Sequence, residues 1–125
     1  MRPHYAKGFS RGPKRGQNKT EQAYDAHLWG LKISGQILDY WYEGLTLKLA
    51  DDTRYTPDFI VLAIDHTIEC HECKAGRISK TSGKVDALTH QDSRVRIRVA
   101  ADKFPLRFKL AILCKGEWSW VEVGG

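Results

Sequence analysis

Asp58 lies in the run Thr56-Pro57-Asp58-Phe59-Ile60-Val61-Leu62, and Glu72 and Lys74 close the run Ile68-Glu69-Cys70-His71-Glu72-Cys73-Lys74. Both runs read as hydrophobic strands with a turn between them at Asp65-His66. Two positions two apart on an extended chain share a face, so the Glu72 carboxylate and the Lys74 amine point the same way. With Asp58 brought in from the neighbouring strand, two acids and an amine converge. Such a set suits a divalent cation and a water directed at phosphate. Magnesium takes oxygen ligands and keeps several waters. It polarises a phosphoryl group and acidifies a bound water. Asp58 and Glu72 would supply the carboxylates, with the backbone carbonyl of Cys73 and waters completing the shell. Lys74 would orient the attacking water and offset the developing negative charge. Glu-x-Lys by itself is a common exposed ion pair. Its placement at the end of a strand, after a Pro-Asp that opens the preceding one, is what gives it meaning.

Other side chains in the same stretch suggest rival chemistries. His66, Cys70, His71 and Cys73 cluster, and Cys-x-x-Cys is a zinc-ligand spacing. In a strand, however, positions 70 and 73 face opposite ways, and no second Cys-x-x-Cys or His pair completes a tetrahedral set nearby. His71 cannot easily activate its neighbour Cys70, because adjacent strand residues point apart. A histidine at position 71 reads as half-exposed. Three cysteines, an odd count, do not form a disulfide framework, and a reducing cytoplasm is the simpler setting.

The elements that must position these residues can be read in outline. Asn18-Lys19-Thr20-Glu21 fits a helical capping box, Tyr24, Leu28 and Leu31 recur at helical spacing, and Gly35 is a natural stop. Glu21 lies three residues before Tyr24 on the same stripe. It either caps its own helix or reaches towards the acids, and the two roles can overlap. Ile37 to Leu49 and Arg54 to Ala63 read as a hairpin about the turn Ala50-Asp51-Asp52-Thr53, with Gly44 as a bend or bulge in the first arm. Thr67 to Ala75 adds a third antiparallel strand. Ala75 to His90 reads as a mobile basic loop. Residues 92–104 carry two signals: Val95-Arg96-Ile97-Arg98-Val99 alternates like a strand, yet Asp92 or Ser93 could cap a helix that Pro105 ends. Arg107 to Leu113 and Trp118 to Val123 are the last strands, about a turn at Lys115-Gly116-Glu117.

The 125 residues make one domain, with 1–17 as a flexible arm and 18–125 as the folded body. Net charge is +5. Residues 1–20 hold six basic residues and no acid, which leaves fourteen bases against all fifteen acids in the body. A basic arm on a near-neutral body suits a polyanion, most simply nucleic acid. Arg11, Lys14, Arg15 and Lys19 from the arm, Arg77, Lys80 and Lys84 from the loop, and Arg94 and Arg98 beyond it are the candidate phosphate contacts. Arg96, together with Tyr40, Trp41 and Tyr42 as stacking groups, would serve equally in a basic module that binds nucleic acid without cutting it. No apolar run is long enough to cross a membrane, and no signal peptide is evident.

The pattern Pro57-Asp58 followed by Glu72-Cys73-Lys74 resembles that of the PD-(D/E)XK, or restriction-endonuclease-like, nuclease superfamily. The similarity extends over roughly residues 18–113, and Asp92 to Arg98 followed by Pro105 looks like the second-helix region of small phage-encoded members. The resemblance implies an α/β (α+β) fold in the order αβββαββ, a mixed central sheet flanked by helices. It therefore favours helix over residues 92–104. It implies a magnesium-dependent deoxyribonuclease of phage or bacterial DNA recombination, repair or processing, with manganese able to substitute. A structure-specific, junction-resolving endonuclease in a bacterial cytoplasm is within that class. Residue by residue, Asp58 and Glu72 match the metal ligands, Lys74 the catalytic lysine, and Glu21 the acid that many members carry on their first helix. A body this small also makes a homodimer a reasonable expectation.

Overall fold

The computed structural model describes residues 16–88 and 91–124. Its first helix, α1 (Lys19–Ile33), begins as the capping box requires: the Asn18 side chain accepts from the Glu21 amide at 2.8 Å, and the Glu21 carboxylate accepts from the Asn18 amide at 3.0 Å. It ends in a Schellman arrangement, with the Gln36 amide on the Leu31 carbonyl at 2.8 Å and Gly35 at φ +81°. Gln17, expected in the flexible arm, is buried and donates to the Asp25 carboxylate at 3.0 Å. Arg11, Lys14 and Arg15 lie outside the described residues.

The strands that follow are β1 (Ile37–Tyr42), β2 (Leu47–Ala50), β3 (Thr53–Tyr55), β4 (Phe59–Ala63), β5 (Ile68–Ile78), β6 (Val85–Ala87), β7 (Arg107–Cys114) and β8 (Glu117–Val123), with α2 (Gln91–Lys103) between β6 and β7. A mixed sheet runs in the order β1-β4-β5-β7-β8, and β6 pairs with β5. The β5–β7 pair is parallel and the other pairs antiparallel. A parallel neighbour needs a crossover, which the segment containing α2 supplies.

Two expectations need correction. The long hairpin expected between Ile37–Leu49 and Arg54–Ala63 is two separate pairings. β1 pairs directly with β4, Tyr42 opposite Phe59, while β2 and β3 pair only with each other, Leu47 opposite Tyr55. The turn at Asp51–Asp52 closes this small hairpin and not the main sheet. The break comes where Gly44 packs against Trp41, so closely that an added Cβ would stand 2.8 Å from the Trp41 Cβ. The Ala75–His90 segment is also more than a loop: β5 continues to Ile78 and turns back as β6, while Thr89 and His90 lie outside the described residues.

Residues 92–104 are helical through Lys103. The strand pattern would bury Val95, Ile97 and Val99 alike. Instead Ile97 and Ala100 are buried, Ala101 and Phe104 pack beside them, and Val95 and Val99 are 50% and 40% exposed. Burial at steps of three and four is the helical signature.

The sheet separates two cores. On the α1 face Tyr24, Leu28, Tyr40, Phe59, Val61, Cys73 and Ala111 pack together. On the α2 face Leu47, Leu49, Tyr55, Ile60, Cys70, Ile97, Ala100 and Phe108 do so. Cys70 and Cys73 therefore belong to different cores, as strand alternation requires. The β2–β3 hairpin is held over the second core, where Lys103 Nζ also donates to the Leu49 carbonyl at 2.8 Å.

Candidate active site

The β4–β5 pairing extends as far as Phe59 opposite His71. Beyond it β4 gives way to the buried Pro57, which has no amide to donate, while β5 runs on beside β7 with Glu72 opposite Leu110 and Lys74 opposite Ile112. One edge of β5 is thus uncovered by β4, and Asp58 fills the gap: its Oδ2 accepts from the Cys73 amide at 3.0 Å, with Cys73 Sγ 3.6 Å away. In an extended strand the carbonyl of a residue emerges on the same side as its amide. The Cys73 carbonyl, expected as a metal ligand, therefore opens towards Asp58.

Asp58, one residue before β4, sits at the uncovered edge itself, reached by Cys73 Sγ and Glu21 from the α1 side. Alternation from Cys70, in the α2-side core, puts Glu72 on that core's face of the sheet. Lys74 shares it, with Nζ 3.5 Å from Glu72 Oε2. The electrostatics reflect this crowding. Burial, and then the charge of Glu72, push the Asp58 carboxyl up to about 8 against the opposing hydrogen bond from the Cys73 amide, and Glu21 adds further repulsion. Glu72, only 7% exposed, is also raised by burial, with hydrogen bonds from Tyr55 and Lys74 pulling back. The Cys73 thiol is raised by burial and then by Asp58.

Glu21 performs both of its expected roles. Its Oε1 caps α1 and also accepts from the Tyr42 hydroxyl at 3.3 Å, while its charge bears on Asp58. Tyr42 and Tyr55 were not evident as site residues. Tyr55 donates to Glu72 Oε1 at 2.8 Å from the β2–β3 hairpin. A tyrosine seventeen residues upstream of a glutamate carries no sequence signal for that contact. Burial and then the neighbouring acids raise both phenols, so they remain donors.

On the α1 face the same strand builds a second polar cluster. His71, expected to be half-exposed, is 5% exposed. Its Nε2 lies 2.9 Å from Glu69 Oε1 and its Nδ1 2.6 Å from the Tyr24 hydroxyl, which accepts from Trp120 Nε1 at 2.9 Å. The arrangement that satisfies every atom has Tyr24 donating to Nδ1 and Nε2–H donating to Glu69. Lys109 at 3.2 Å and Arg107 at 3.7 Å complete the shell of Glu69.

The candidate phosphate contacts are more dispersed. Lys19 is exposed on α1, Arg77, Lys80 and Lys84 on the β5–β6 hairpin, and Arg94 and Arg98 on α2. The last two line a cavity of about 560 Å3 with Ile97, Leu110 and Val121, between α2 and the end of the sheet.

Among the described residues, no three His, Cys, Asp or Glu side chains form a ready-made metal cluster. Magnesium does not require one: one or two carboxylates suffice when waters and phosphate oxygens complete the octahedron. Two acids both raised by burial, with the charge of Glu72 raising Asp58 further, form a donor set that a divalent cation fits, because the cation offsets that desolvation and repulsion. No helix is long and apolar enough to cross a membrane among the described residues. No family model matches the chain, and neither a curated protein nor a solved structure matches it.

Proposed function

We propose that the chain is a metal-dependent nuclease that hydrolyses DNA phosphodiester bonds, an endonuclease of DNA recombination, repair or processing built on a restriction-endonuclease-like core. The observation that carries this reading is the approach of Asp58 to Glu72 at an uncovered strand edge, with the Lys74 amine 3.5 Å from Glu72. Asp58, Glu72 and the Cys73 carbonyl would hold magnesium. The ion would supply charge neutralisation at the phosphoryl group and a water of lowered pKa.

The chain's own residues do the rest. The Cys73 amide and the Tyr55 hydroxyl hold the two carboxylates in place, each at hydrogen-bond distance. Lys74, three-quarters buried with 23% of its side chain exposed, keeps donors for a water or a phosphoryl oxygen. Glu21 ties the start of α1 to the same edge. The exposed bases would grip the backbone without reading sequence, so their contribution is salt-sensitive.

The test is cleavage of supercoiled, linear, single-stranded and four-way-junction DNA in magnesium and in chelator, beside the Glu72→Gln and Lys74→Ala variants. Cleavage should require magnesium and fall at least about a hundredfold in each variant. Cleavage that persists in chelator, or in both variants, overturns the reading. Binding without cleavage under every condition would leave a non-catalytic nucleic-acid module in its place.

A further inference from the structure

Beyond Ala75, the last residue it pairs with β7, β5 runs on as one arm of a two-stranded ribbon with β6. Gly76 faces Ala87, Arg77 faces Asp86 and Ile78 faces Val85, and the Leu88 amide closes the root on the Ala75 carbonyl at 2.7 Å. Gly76 seats this root: a Cβ there would overlap Ile112 Cγ2 of β7. The tip is an organised turn, with the Ser79 amide on the Lys84 carbonyl at 2.7 Å and the Gly83 amide on the Ser79 carbonyl at 2.9 Å, and with Gly83 at φ +73°. At roughly 3.3 Å per residue, Ser79 stands about 17 Å along the strand from Lys74.

The ribbon's surface composition is unusual. Ile78, Val85 and Leu88 are 45%, 37% and 53% exposed. Ile78 shares the face of Lys74, four residues on, and Val85 lies opposite it. Lys80 and Lys84 flank the turn and are exposed. The acid of the segment, Asp86, sits across from Arg77, one register step from the apolar pair.

We infer that the β5–β6 ribbon is a groove-binding arm for duplex DNA, entering the major groove with Ile78 and Val85 towards base edges and with Lys80 and Lys84 on the flanking phosphates. This deepens the nuclease reading by naming its substrate as a duplex held beside Lys74. The dimensions favour it. Two strands about 4.8 Å apart with their side chains fill a groove roughly 12 Å wide, and enter one of roughly 6 Å only if the duplex is deformed to widen it. Exposed aliphatic side chains suit the thymine methyl groups that line the major groove. Single-stranded nucleic acid is bound by stacking on aromatic rings, and residues 75–88 contain none.

The experiment is fluorescence-polarisation titration of the full-length chain, in chelator so that nothing is cut, against a 20-base-pair duplex and one of its single strands. Duplex should bind at least tenfold more tightly. Methyl green, which occupies the major groove, should displace the protein, and netropsin, which occupies the minor groove, should not. The Lys80→Ala/Lys84→Ala double variant should weaken duplex binding about tenfold or more and flatten the slope of log K against log salt by about 1.8, for two lost phosphate contacts. Ile78→Ser should weaken binding with the salt slope unchanged. All these positions are exposed, so circular dichroism should match the parent chain. Equal affinity for the single strand, displacement by netropsin alone, or a double variant that binds like the parent overturns the inference. Ribbon-dependent duplex binding without magnesium-dependent cleavage would defeat the nuclease reading alone. Cleavage with ribbon-independent binding would defeat only the ribbon.

Discussion

The two faces of the sheet each bury carboxylate chemistry from the same strand, and they balance charge in opposite ways. Facing α1, Glu69 is met by His71, Lys109 and Arg107. The hydrogen bond from His71, reinforced by Lys109 against the cost of burial, holds its carboxyl down to about 2. On the other face Glu72 has one lysine at 3.5 Å, and at the strand edge beside it Asp58 has a backbone amide and two acidic neighbours, Glu72 and Glu21. There burial and repulsion win, and Asp58 is pushed up to about 8. Burial alone therefore does not mark a functional acid. A carboxylate completed by the chain's own cations is part of the scaffold. A pair without that balance, at an open strand edge, is where the proposed magnesium would sit.

The sharpest way to break this contrast is to neutralise one member of the unbalanced pair. Asp58→Asn should lower DNA cleavage by about a thousandfold or more, the scale set by several kcal/mol of lost transition-state stabilisation. In chelator it should hold or raise the thermal midpoint, because an amide needs no proton uptake to be buried beside Glu72 whereas the raised carboxyl of Asp58 does. Cleavage near the parent rate together with a midpoint several degrees lower would mean that Asp58 is scaffold after all. A smaller effect is expected from Tyr55→Phe, which removes the hydroxyl that orients Glu72. Magnesium affinity measured by calorimetry should fall about ten- to a hundredfold, as is usual when a group supporting a ligand is lost. Unchanged affinity would show that Glu72 needs no such support.

These two residues also mark how far the sequence could be read. The approach of Asp58, Glu72 and Lys74 to one another, and the cap and reach open to Glu21, follow from local rules: alternation along a strand, a Pro-Asp that opens one, and a capping box. They were legible because each rule acts over a few residues. Tyr55 was not, because its contact depends on β2 and β3 splitting away as their own hairpin, and that split depends on packing against α2. His71 was misread for a related reason. Its burial depends on Tyr24, which packs against it from α1, and on β7, whose Lys109 comes opposite it only after the α2 crossover. The register could have signalled that Glu69 and His71 share the face opposite Glu72, but not which cations would meet them there. Helix α2 shows the converse, since its strand-like alternation yielded to a buried stripe that only the folded core defines.

The balanced cluster offers the mildest test, through pH. Glu69 has its folded pKa at about 2, below its ordinary value of 4.5. The unfolded chain therefore takes up the proton first as pH falls. The stabilisation is fully present above about 4.5 and is lost as pH drops towards 2. Glu69→Gln should cost roughly 1–2 kcal/mol at neutral pH, the scale of a lost charged hydrogen bond with exposed partners. Urea midpoints measured from pH 7 to pH 2.5 should converge for parent and variant at the acidic end, because the parent loses what the variant never had. Magnesium affinity at neutral pH should be the same in both, since Glu69, with His71, and Glu72, with Tyr55, project from opposite faces of β5. Parallel midpoint curves would mean that Glu69 is not held by its cations. A large change in magnesium affinity would mean that the two faces are coupled through β5, and the division between scaffold and site would have to be redrawn along that strand.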